Sequence, residues 1–168
     1  MSNSMNSDVS RRRFLAATGA VAASATPIAL ALPWWATGRS SDEIRVGVIG
    51  CGGRGSGAAI NALQADPATV INAMADLFPD RLEGSRSSLS AHQTLGSRVR
   101  VTDETCFTGF DAYQRLLDEA EVDLVILATP PHFRPIHLQA AVAARKHVFM
   151  EKPVAVNPVG ARGVIAAG

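Results

Sequence analysis

The stretch from Ile44 to Gly57 decides the fold of this chain, and it reads Ile-Arg-Val-Gly-Val-Ile-Gly-Cys-Gly-Gly-Arg-Gly-Ser-Gly. Its first half is a short apolar run rich in β-branched residues, which is typical of a strand buried on both faces of a parallel sheet. Its second half is a glycine-rich turn. The apolar residues that follow, at positions 58, 59, 60 and 63, have helical spacing. The segment therefore predicts a strand, a tight turn and a helix, in that order.

The glycines of this turn form a G-x-G-x-x-G pattern, and each has its own physical role. Gly50 lets the chain reverse tightly, Gly52 lets the backbone approach a pyrophosphate because it lacks a Cβ atom, and Gly55 lets the helix lie close to the strand. The helix N-terminus adds unpaired N–H groups and a partial positive charge, which suit a phosphate pair. The turn thus predicts dinucleotide binding, with Gly53 as a further contributor, and a flexible glycine turn that binds nothing is the alternative.

The composition is that of an ordinary folded domain. The 168 residues carry 16 basic and 15 acidic side chains, so a formal net charge of +1 gives no reason to expect nucleic-acid binding. Hydrophobic residues make up 47% of the chain, which is enough for a packed core, and the length predicts one domain. The two cysteines, Cys51 and Cys106, lack the spacing of metal ligands and are interpreted as free thiols.

The N-terminal segment 1–36 is predicted to be an export signal. Residues 10–15 read Ser-Arg-Arg-Arg-Phe-Leu and resemble the twin-arginine consensus Ser-Arg-Arg-x-Phe-Leu. The weakly apolar, alanine-rich run that extends from there to Leu32 suits such a signal better than a stable membrane span. We therefore expect the export machinery as a partner and a periplasmic or otherwise exported location. An uncleaved membrane anchor is the alternative.

The remaining residues are predicted to form a polar linker, residues 37–42, and one folded domain, residues 43–168. Strands and helices alternate along the domain, which predicts the α/β class with a doubly wound parallel sheet in the order 3-2-1-4-5. The sheet is expected to be incomplete at its C-terminal edge, so the last strand is left exposed. The predicted strands after the first are Thr69–Asp76, Arg98–Val101, Val122–Ala128 and His147–Met150, and the predicted helices are Pro79–Gln93, Phe110–Ala120, His132–Ala144 and Val159–Gly168.

The second predicted strand ends in an acidic residue. Asp76 lies 21 positions after Gly55, where a dinucleotide fold places the carboxylate that holds the adenosine ribose hydroxyls. Leu77 and Phe78 follow, with no adjacent Arg or Ser to accept a 2′-phosphate, so the sequence favours NAD over NADP. The alternative interpretation of Asp76 is a strand-end carboxylate in a solvated turn.

Two further motifs follow predicted strands. Thr129-Pro130-Pro131 comes after the fourth strand and Glu151-Lys152-Pro153 after the fifth. With the glycine turn in front of them, they make residues 43–168 resemble the N-terminal half of the glucose–fructose oxidoreductase/inositol dehydrogenase (Gfo/Idh/MocA) family, whose exported members often carry a twin-arginine leader. The resemblance implies a Rossmann domain that binds a dinucleotide in an oxidoreductase acting on sugar or polyol hydroxyls.

The family resemblance also implies roles for the matched residues. Thr129 and Pro130 would line the pocket near the cofactor. Glu151 and Lys152 would face the nicotinamide ribose, with Lys152 also reaching the substrate hydroxyl as the catalytic residue and forming a cis bond to the proline that follows. Position supports the role of Lys152 independently, because ligands bind outside the carboxyl ends of parallel strands. Its alternative interpretation is a surface lysine.

The histidines give no signal for a metal site. His92, His132 and His147 show no ligand spacing, so no metal is predicted. Family members often have a histidine where this chain has Arg134, so the corresponding contact is not carried over. His137, one helical turn further on, is interpreted as a residue of the helix face.

The resemblance finally implies what the sequence lacks. Members of the family carry a second α/β domain that supplies a catalytic histidine and most substrate contacts, and this sequence ends before it. We therefore expect a truncated chain, namely the NAD-binding domain of an exported oxidoreductase, inactive without its substrate domain. A non-catalytic nucleotide-binding module that works with another chain is the alternative. A methyltransferase-like fold is a weaker one, because Glu151-Lys152-Pro153 argues against it.

Replacing both Arg11 and Arg12 with Lys is expected to keep the protein in the cytoplasm. NAD is made inside the cell, and the twin-arginine route carries proteins that have already folded around a cofactor. Cell fractionation followed by immunoblotting measures the distribution. Arg13→Lys is the matched control, because Arg13 occupies the variable position of the consensus and its replacement should leave export unchanged. Normal export of the double variant would contradict the signal.

Overall fold

A computed structural model describes residues 43–168, which form a parallel sheet covered by helices on both faces. The predicted signal, residues 1–36, and the linker, residues 37–42, lie outside the described residues. The strands are β1 (Ile44–Ile49), β2 (Thr69–Asp76), β3 (Cys106–Thr108), β4 (Leu124–Leu127) and β5 (His147–Met150), and the helices are α1 (Gly53–Ala65), α2 (Pro79–Ser90), α3 (Ala112–Glu119), α4 (Arg134–Ala143) and α5 (Pro158–Ala167).

The strand order is β3-β2-β1-β4-β5, and every neighbouring pair is parallel. This confirms the predicted class and strand order. The chain reverses its direction of winding between β1 and β4, so the carboxyl ends of these two strands flank a crevice at the topological switch point. β5 forms one edge of the sheet, and the side chain of Phe149 on it is 53% exposed, as expected for an uncovered edge.

The core lies on both faces of the sheet because successive side chains of a strand point in opposite directions. Val46 and Val48 of β1 pack towards α1 and α2, while Ile49 packs towards α3 and α4. Gly47 lies between Val46 and Val48, and a Cβ atom on it would come within 2.8 Å of Cδ2 of Leu116 on α3. The continuous apolar run of β1 is therefore explained by burial on two sides.

The prediction of a third strand at Arg98–Val101 is wrong. Val99 forms one isolated bridge with Ile71 of β2, and Arg98 ends a short 3-10 turn. The Arg98 guanidinium donates hydrogen bonds to the carbonyl oxygens of Asp66 and Thr69, at 2.9 and 3.1 Å, and to that of Leu63. These bonds hold the segment against the start of β2, and the other arginine of the alternation, Arg100, pairs with Glu43 at 2.7 Å.

The third strand is instead Cys106–Thr108, which pairs with Met74–Asp76 at the carboxyl end of β2. Its central side chain, Phe107, is fully buried, with 1% of its surface exposed. The other predicted strands and helices are present, with ends shifted by a few residues. No helix within residues 43–168 is long and apolar enough to cross a membrane.

The contact between α1 and the glycine turn yields a stability prediction. Gly55→Ala is expected to lower the free energy of unfolding by about 1–3 kcal/mol or more, because a Cβ atom there would overlap the carbonyl oxygen of Gly50. Gly57→Ala is the matched control in the same helix. A Cβ atom on Gly57 meets nothing within 4 Å, so alanine should stabilise the helix by roughly 0.5–1 kcal/mol. Urea denaturation followed by circular dichroism compares the two, and equal effects would contradict the packing.

Candidate functional site

The glycine turn joins β1 to α1 at the carboxyl edge of the sheet. Gly50 has a φ of +99°, and a Cβ atom on it would lie 2.6 Å from the backbone nitrogen of Thr129. A side chain is excluded at Gly50 by conformation and by space. Gly52 and Gly53 are not crowded in this way, because a Cβ atom on either would meet no atom within 4 Å. Open space therefore lies directly above these two backbone positions.

The N-terminus of α1 borders that open space. Gly52 is its N-cap residue, no described side chain caps it, and its first turn carries no acidic residue. The first N–H groups of a helix have no partner within the helix and carry partial positive charge. The arrangement offers hydrogen-bond donors and a favourable potential to an anion.

Asp76 ends β2 beside this turn. Its Oδ2 accepts a hydrogen bond from the Cys51 N–H at 2.6 Å, and its Oδ1 accepts one from the Phe78 N–H at 2.9 Å. Two backbone donors therefore fix the carboxylate next to the glycine turn. Arg81 lies close by, with its guanidinium carbon 5.1 Å from the centre of the Phe78 ring. The sequence interpretation missed Arg81 because it considered only the positions adjacent to Asp76.

A cavity of about 340 Å³ lies over the carboxyl ends of β1, β2 and β4. Five predicted site residues line it, while Gly53, Gly55, Glu151 and Lys152 lie outside its lining. The cavity therefore unites the glycine turn, the acidic strand end and the residues that follow β4. The predicted residues among its lining are Gly50, Gly52, Asp76, Thr129 and Pro130, and further lining residues are Phe78, Arg81, Tyr113, Phe133, Arg134 and His137.

His137 lies on the buried face of α4 and also lines this cavity. It is 8% exposed, and its Nδ1 lies 3.0 Å from Oγ1 of Thr129 in a hydrogen bond. Its ring centre lies 4.3 Å from that of Tyr113. Burial lowers the pKa of His137 from its usual 6.5 to about 4, so the imidazole is neutral at pH 7. The sequence did contain a signal for this role of His137, because a polar residue stands next to Leu138 on the buried face of the helix.

Arg134 ties the ends of β4 and β5 together. Its Nε donates to the carbonyl oxygen of Thr129 at 2.6 Å, and its Nη1 donates to those of Glu151 and Pro153, each at 2.6 Å. The residue is 5% exposed, and burial lowers the pKa of its guanidinium. One side chain thus fixes the backbone of both strand-end motifs, a role that the sequence did not reveal.

Glu151 and Lys152 stand at the same edge of the sheet as the glycine turn. The Glu151 side chain is 5% exposed, and its Oε1 lies 2.8 Å from Nη2 of Arg54, whose own side chain is 67% exposed. Lys152 is exposed, and its bond to Pro153 is cis, as the family resemblance implies. The strand-end motifs and the glycine turn therefore lie at one edge of the sheet, as predicted. The contact between Arg54 and Glu151 was not predicted from the sequence.

The arrangement of these motifs matches one protein family. The profile of the Gfo/Idh/MocA family, described as an oxidoreductase family with an NAD-binding Rossmann fold, matches residues 44–167. The chain belongs to this family. The match extends over all five strands of the sheet, so the Gfo/Idh/MocA resemblance found from three short motifs is confirmed across the described domain.

Individual proteins and solved structures are also similar to this chain. A glycosyl hydrolase family 109 protein of Streptomyces coelicolor is 35% identical over 166 residues, covering 89% of this chain and 34% of the relative. A scyllo-inositol dehydrogenase from Lactobacillus casei, solved with NAD(H) and scyllo-inositol, has a TM-score of 0.59 at 22% identity, covering 74% of this chain and 32% of that one. A 3-ketoreductase from Actinomadura kijaniata, solved with NADP and TDP-benzene, has a TM-score of 0.55 at 29% identity, covering 75% and 34%. The chain spans about a third of the length of these relatives.

The buried His137 predicts a specific dependence of stability on pH. The unfolded chain binds a proton at this residue near pH 6.5, whereas the folded protein resists protonation down to about pH 4. Stability is therefore lost as the pH falls through this window, at roughly 1.4 kcal/mol per pH unit and about 3 kcal/mol in total. His137→Asn can keep a hydrogen bond to Thr129 without titrating, so it should lose less stability between pH 7 and pH 4.5.

Urea denaturation at the two pH values measures this difference. His147→Asn is the control, because His147 is exposed on the edge strand and its replacement should leave the pH dependence of the wild type intact. An equal loss of stability in the wild type and the His137→Asn variant would show that His137 is not the group responsible.

Proposed function

We propose that residues 43–168 bind NAD as the cofactor domain of an oxidoreductase that acts on a hydroxyl group of a sugar or polyol. The observation that carries this proposal is the open space above Gly52 and Gly53, which borders the uncapped N-terminus of α1 and the cavity beside Asp76. A pyrophosphate fits such a place because it needs backbone donors and tolerates no Cβ atom. Membership of the Gfo/Idh/MocA family supports the same conclusion.

The glycine turn would hold the pyrophosphate. The backbone N–H groups at Gly52 and Gly53 would donate to phosphate oxygens, which could approach closely because the space that a Cβ atom would take at either residue is open. Gly50 and Gly55 would contribute by allowing the turn and α1 to approach the sheet. The carboxylate of Asp76, already fixed by two backbone donors, would accept hydrogen bonds from the adenosine ribose hydroxyls.

The strand ends of β4 and β5 would hold the nicotinamide half. Thr129 and Pro130 line the cavity next to the glycine turn, and Glu151 and Lys152 lie on the far side of β4. Bound NAD would supply the hydride acceptor. The ammonium group of Lys152 would donate a hydrogen bond to the substrate oxygen and stabilise the alkoxide that develops there, while a separate neutral base, such as the catalytic histidine that the family's second domain supplies, would take the hydroxyl proton. The bonds from Arg134 to both motifs would keep the two strand ends in register.

The choice of NAD over NADP is part of the proposal. A carboxylate at Asp76 would repel the 2′-phosphate of NADP and bind a free 2′-hydroxyl. Arg81 lines the same cavity and would moderate this preference, since guanidinium groups bind phosphates well. Because the Asp76 carboxylate is fixed beside the turn whereas Arg81 reaches the cavity from α2, we expect the carboxylate to dominate.

Asp76→Ala is expected to weaken NAD binding about 10-fold or more, because hydrogen bonds to a charged group contribute about 1.5–3 kcal/mol each. NADP binding should change little, because the same substitution removes a repulsion. Isothermal titration calorimetry with the 168-residue chain measures both. Asp118→Ala, an exposed carboxylate on α3, is the control and should leave both affinities unchanged.

Two results would count against this proposal. A wild-type protein that binds neither cofactor would remove the proposed function itself. Equal losses of NAD and NADP affinity in the Asp76→Ala variant would show that the carboxylate does not contact the ribose, and would leave dinucleotide binding intact.

We also propose that the protein is exported by the twin-arginine route. The motif at residues 10–15 supports this, and so does the need to take up a cytoplasmic cofactor before transport. The fractionation of the Arg11 and Arg12 variant described above tests it.

A second candidate function is glycoside hydrolysis, favoured by the 35% identity to a glycosyl hydrolase family 109 protein. Some glycoside hydrolases depend on NAD. In such a cycle a sugar hydroxyl is oxidised and later reduced again, so bond cleavage occurs without net formation of NADH. The candidates differ in one measurement on the enzyme. A dehydrogenase accumulates NADH with a free sugar, whereas a hydrolase releases the leaving group of a glycoside with no net NADH.

A further inference from the structure

Arg134 is a buried cation at a position that does not favour one. It is the first residue of α4, where the helix dipole is positive, and it is 5% exposed. Within residues 134–143, α4 contains no acidic residue to offset this charge. Burial lowers the pKa of the guanidinium, and the nearby charge of Glu151 opposes that shift only in part. Because a buried charge is weak evidence for a stabilising role, the position of Arg134 needs another explanation.

The contacts of Arg134 lie on both sides of Lys152. Its Nη1 donates to the carbonyl oxygen of Glu151, the residue before Lys152, and to that of Pro153, the residue after it, each at 2.6 Å. One nitrogen atom therefore holds the main chain before and after Lys152. These two bonds restrict the direction in which the Lys152 side chain leaves the main chain, while the side chain itself is exposed and open to a ligand.

The same guanidinium links this segment to the end of β4. Its Nε donates to the carbonyl oxygen of Thr129 at 2.6 Å, and Thr129 lines the cavity. A guanidinium is planar and rigid, so its Nε and Nη1 keep a constant position relative to each other. The main chain around Lys152 is therefore held at a set separation from the cavity wall at Thr129, although Lys152 itself lies outside the lining of the cavity.

We propose that Arg134 is a positioning residue for Lys152, and that its three bonds to main-chain carbonyls direct the Lys152 ammonium group towards the nicotinamide half of the cofactor. This inference rests on the proposed function and adds a residue that acts through the main chain rather than on the ligand. It explains a buried arginine at the positive end of α4, because joining two strand ends requires a side chain with several donors in a fixed geometry.

NAD and adenosine diphosphate are the probes that test this role. Both contain adenosine and two phosphates, and only NAD contains the nicotinamide ribose that Lys152 would face. Lys152→Ala is expected to weaken NAD binding by about 10-fold, because a charge-assisted hydrogen bond is lost. Arg134→Lys and Arg134→Gln should each weaken it by a similar factor, because neither side chain has the planar fork that reaches all three carbonyls. Isothermal titration calorimetry with the 168-residue chain should show unchanged binding of adenosine diphosphate in all three variants.

Arg98 provides the matched control. Its guanidinium also binds three main-chain carbonyls, those of Leu63, Asp66 and Thr69, and it does so near the start of β2, away from the cavity. Arg98→Lys and Arg98→Gln should lower thermal stability while the ratio of NAD affinity to adenosine diphosphate affinity stays at its wild-type value. Circular dichroism reports folding, and failure of both Arg134 variants to fold would assign Arg134 a structural role and overturn the inference.

A double variant separates action through Lys152 from a direct contact between Arg134 and the ligand. If Arg134 positions Lys152, then adding Arg134→Lys to Lys152→Ala causes no further loss of NAD affinity. Additive losses, a loss shared equally by adenosine diphosphate, or an unchanged NAD affinity in either single variant would each overturn the inference and leave dinucleotide binding by the wild type intact. A wild type that binds neither NAD nor adenosine diphosphate would overturn the proposed function as well.

Discussion

The close approach of three backbone segments at the carboxyl edge of the sheet is the constraint on which the rest of the structure depends. Gly50 lies against the backbone of Thr129, and Gly55 lies against Gly50. No side chain fits between them, so β1, α1 and the end of β4 are separated by backbone thickness alone. This proximity places the N-terminus of α1 at the carboxyl edge of the sheet and leaves open space above Gly52 and Gly53, beside the cavity.

The fold was largely predictable because its strands are buried on both sides. β1 and β4 are short apolar runs that no exposed element could tolerate, and parallel pairing with crossover helices then restricts the topology to few arrangements. β3 was misplaced for a physical reason. It is three residues long and contributes one buried side chain, Phe107, whereas Arg98–Val101 alternates polar and apolar residues because Arg98 binds carbonyl oxygens near the start of β2 and Arg100 pairs with Glu43. The alternation of polar and apolar residues does not distinguish a strand from a segment that is held in place by its arginines.

The candidate site was predictable in its backbone and not in its long side chains. Motifs that follow strands converge because parallel strands end at one edge, so Asp76 and Thr129 were placed correctly beside the glycine turn. Arg54, Arg134 and His137 each contact residues that belong to other parts of the fold. The distances between these parts cannot be read from the spacing of residues along the sequence. The approach of Arg134 to the end of β5 depends on how α4 packs on the sheet through Leu138 and Ala141, which the pattern of a single helix does not encode.

The bonds of Arg134 to three main-chain carbonyls have a consequence for how this edge of the sheet responds to acidity. The family often has a histidine at this position, and an imidazole offers at most two donors and exchanges its charge near neutrality. A guanidinium supplies five donors and stays protonated even where burial lowers its pKa. The spacing between the ends of β4 and β5 is therefore maintained by a guanidinium that stays charged at every physiological pH. These hydrogen bonds do not respond to the pH of the medium in which the protein works.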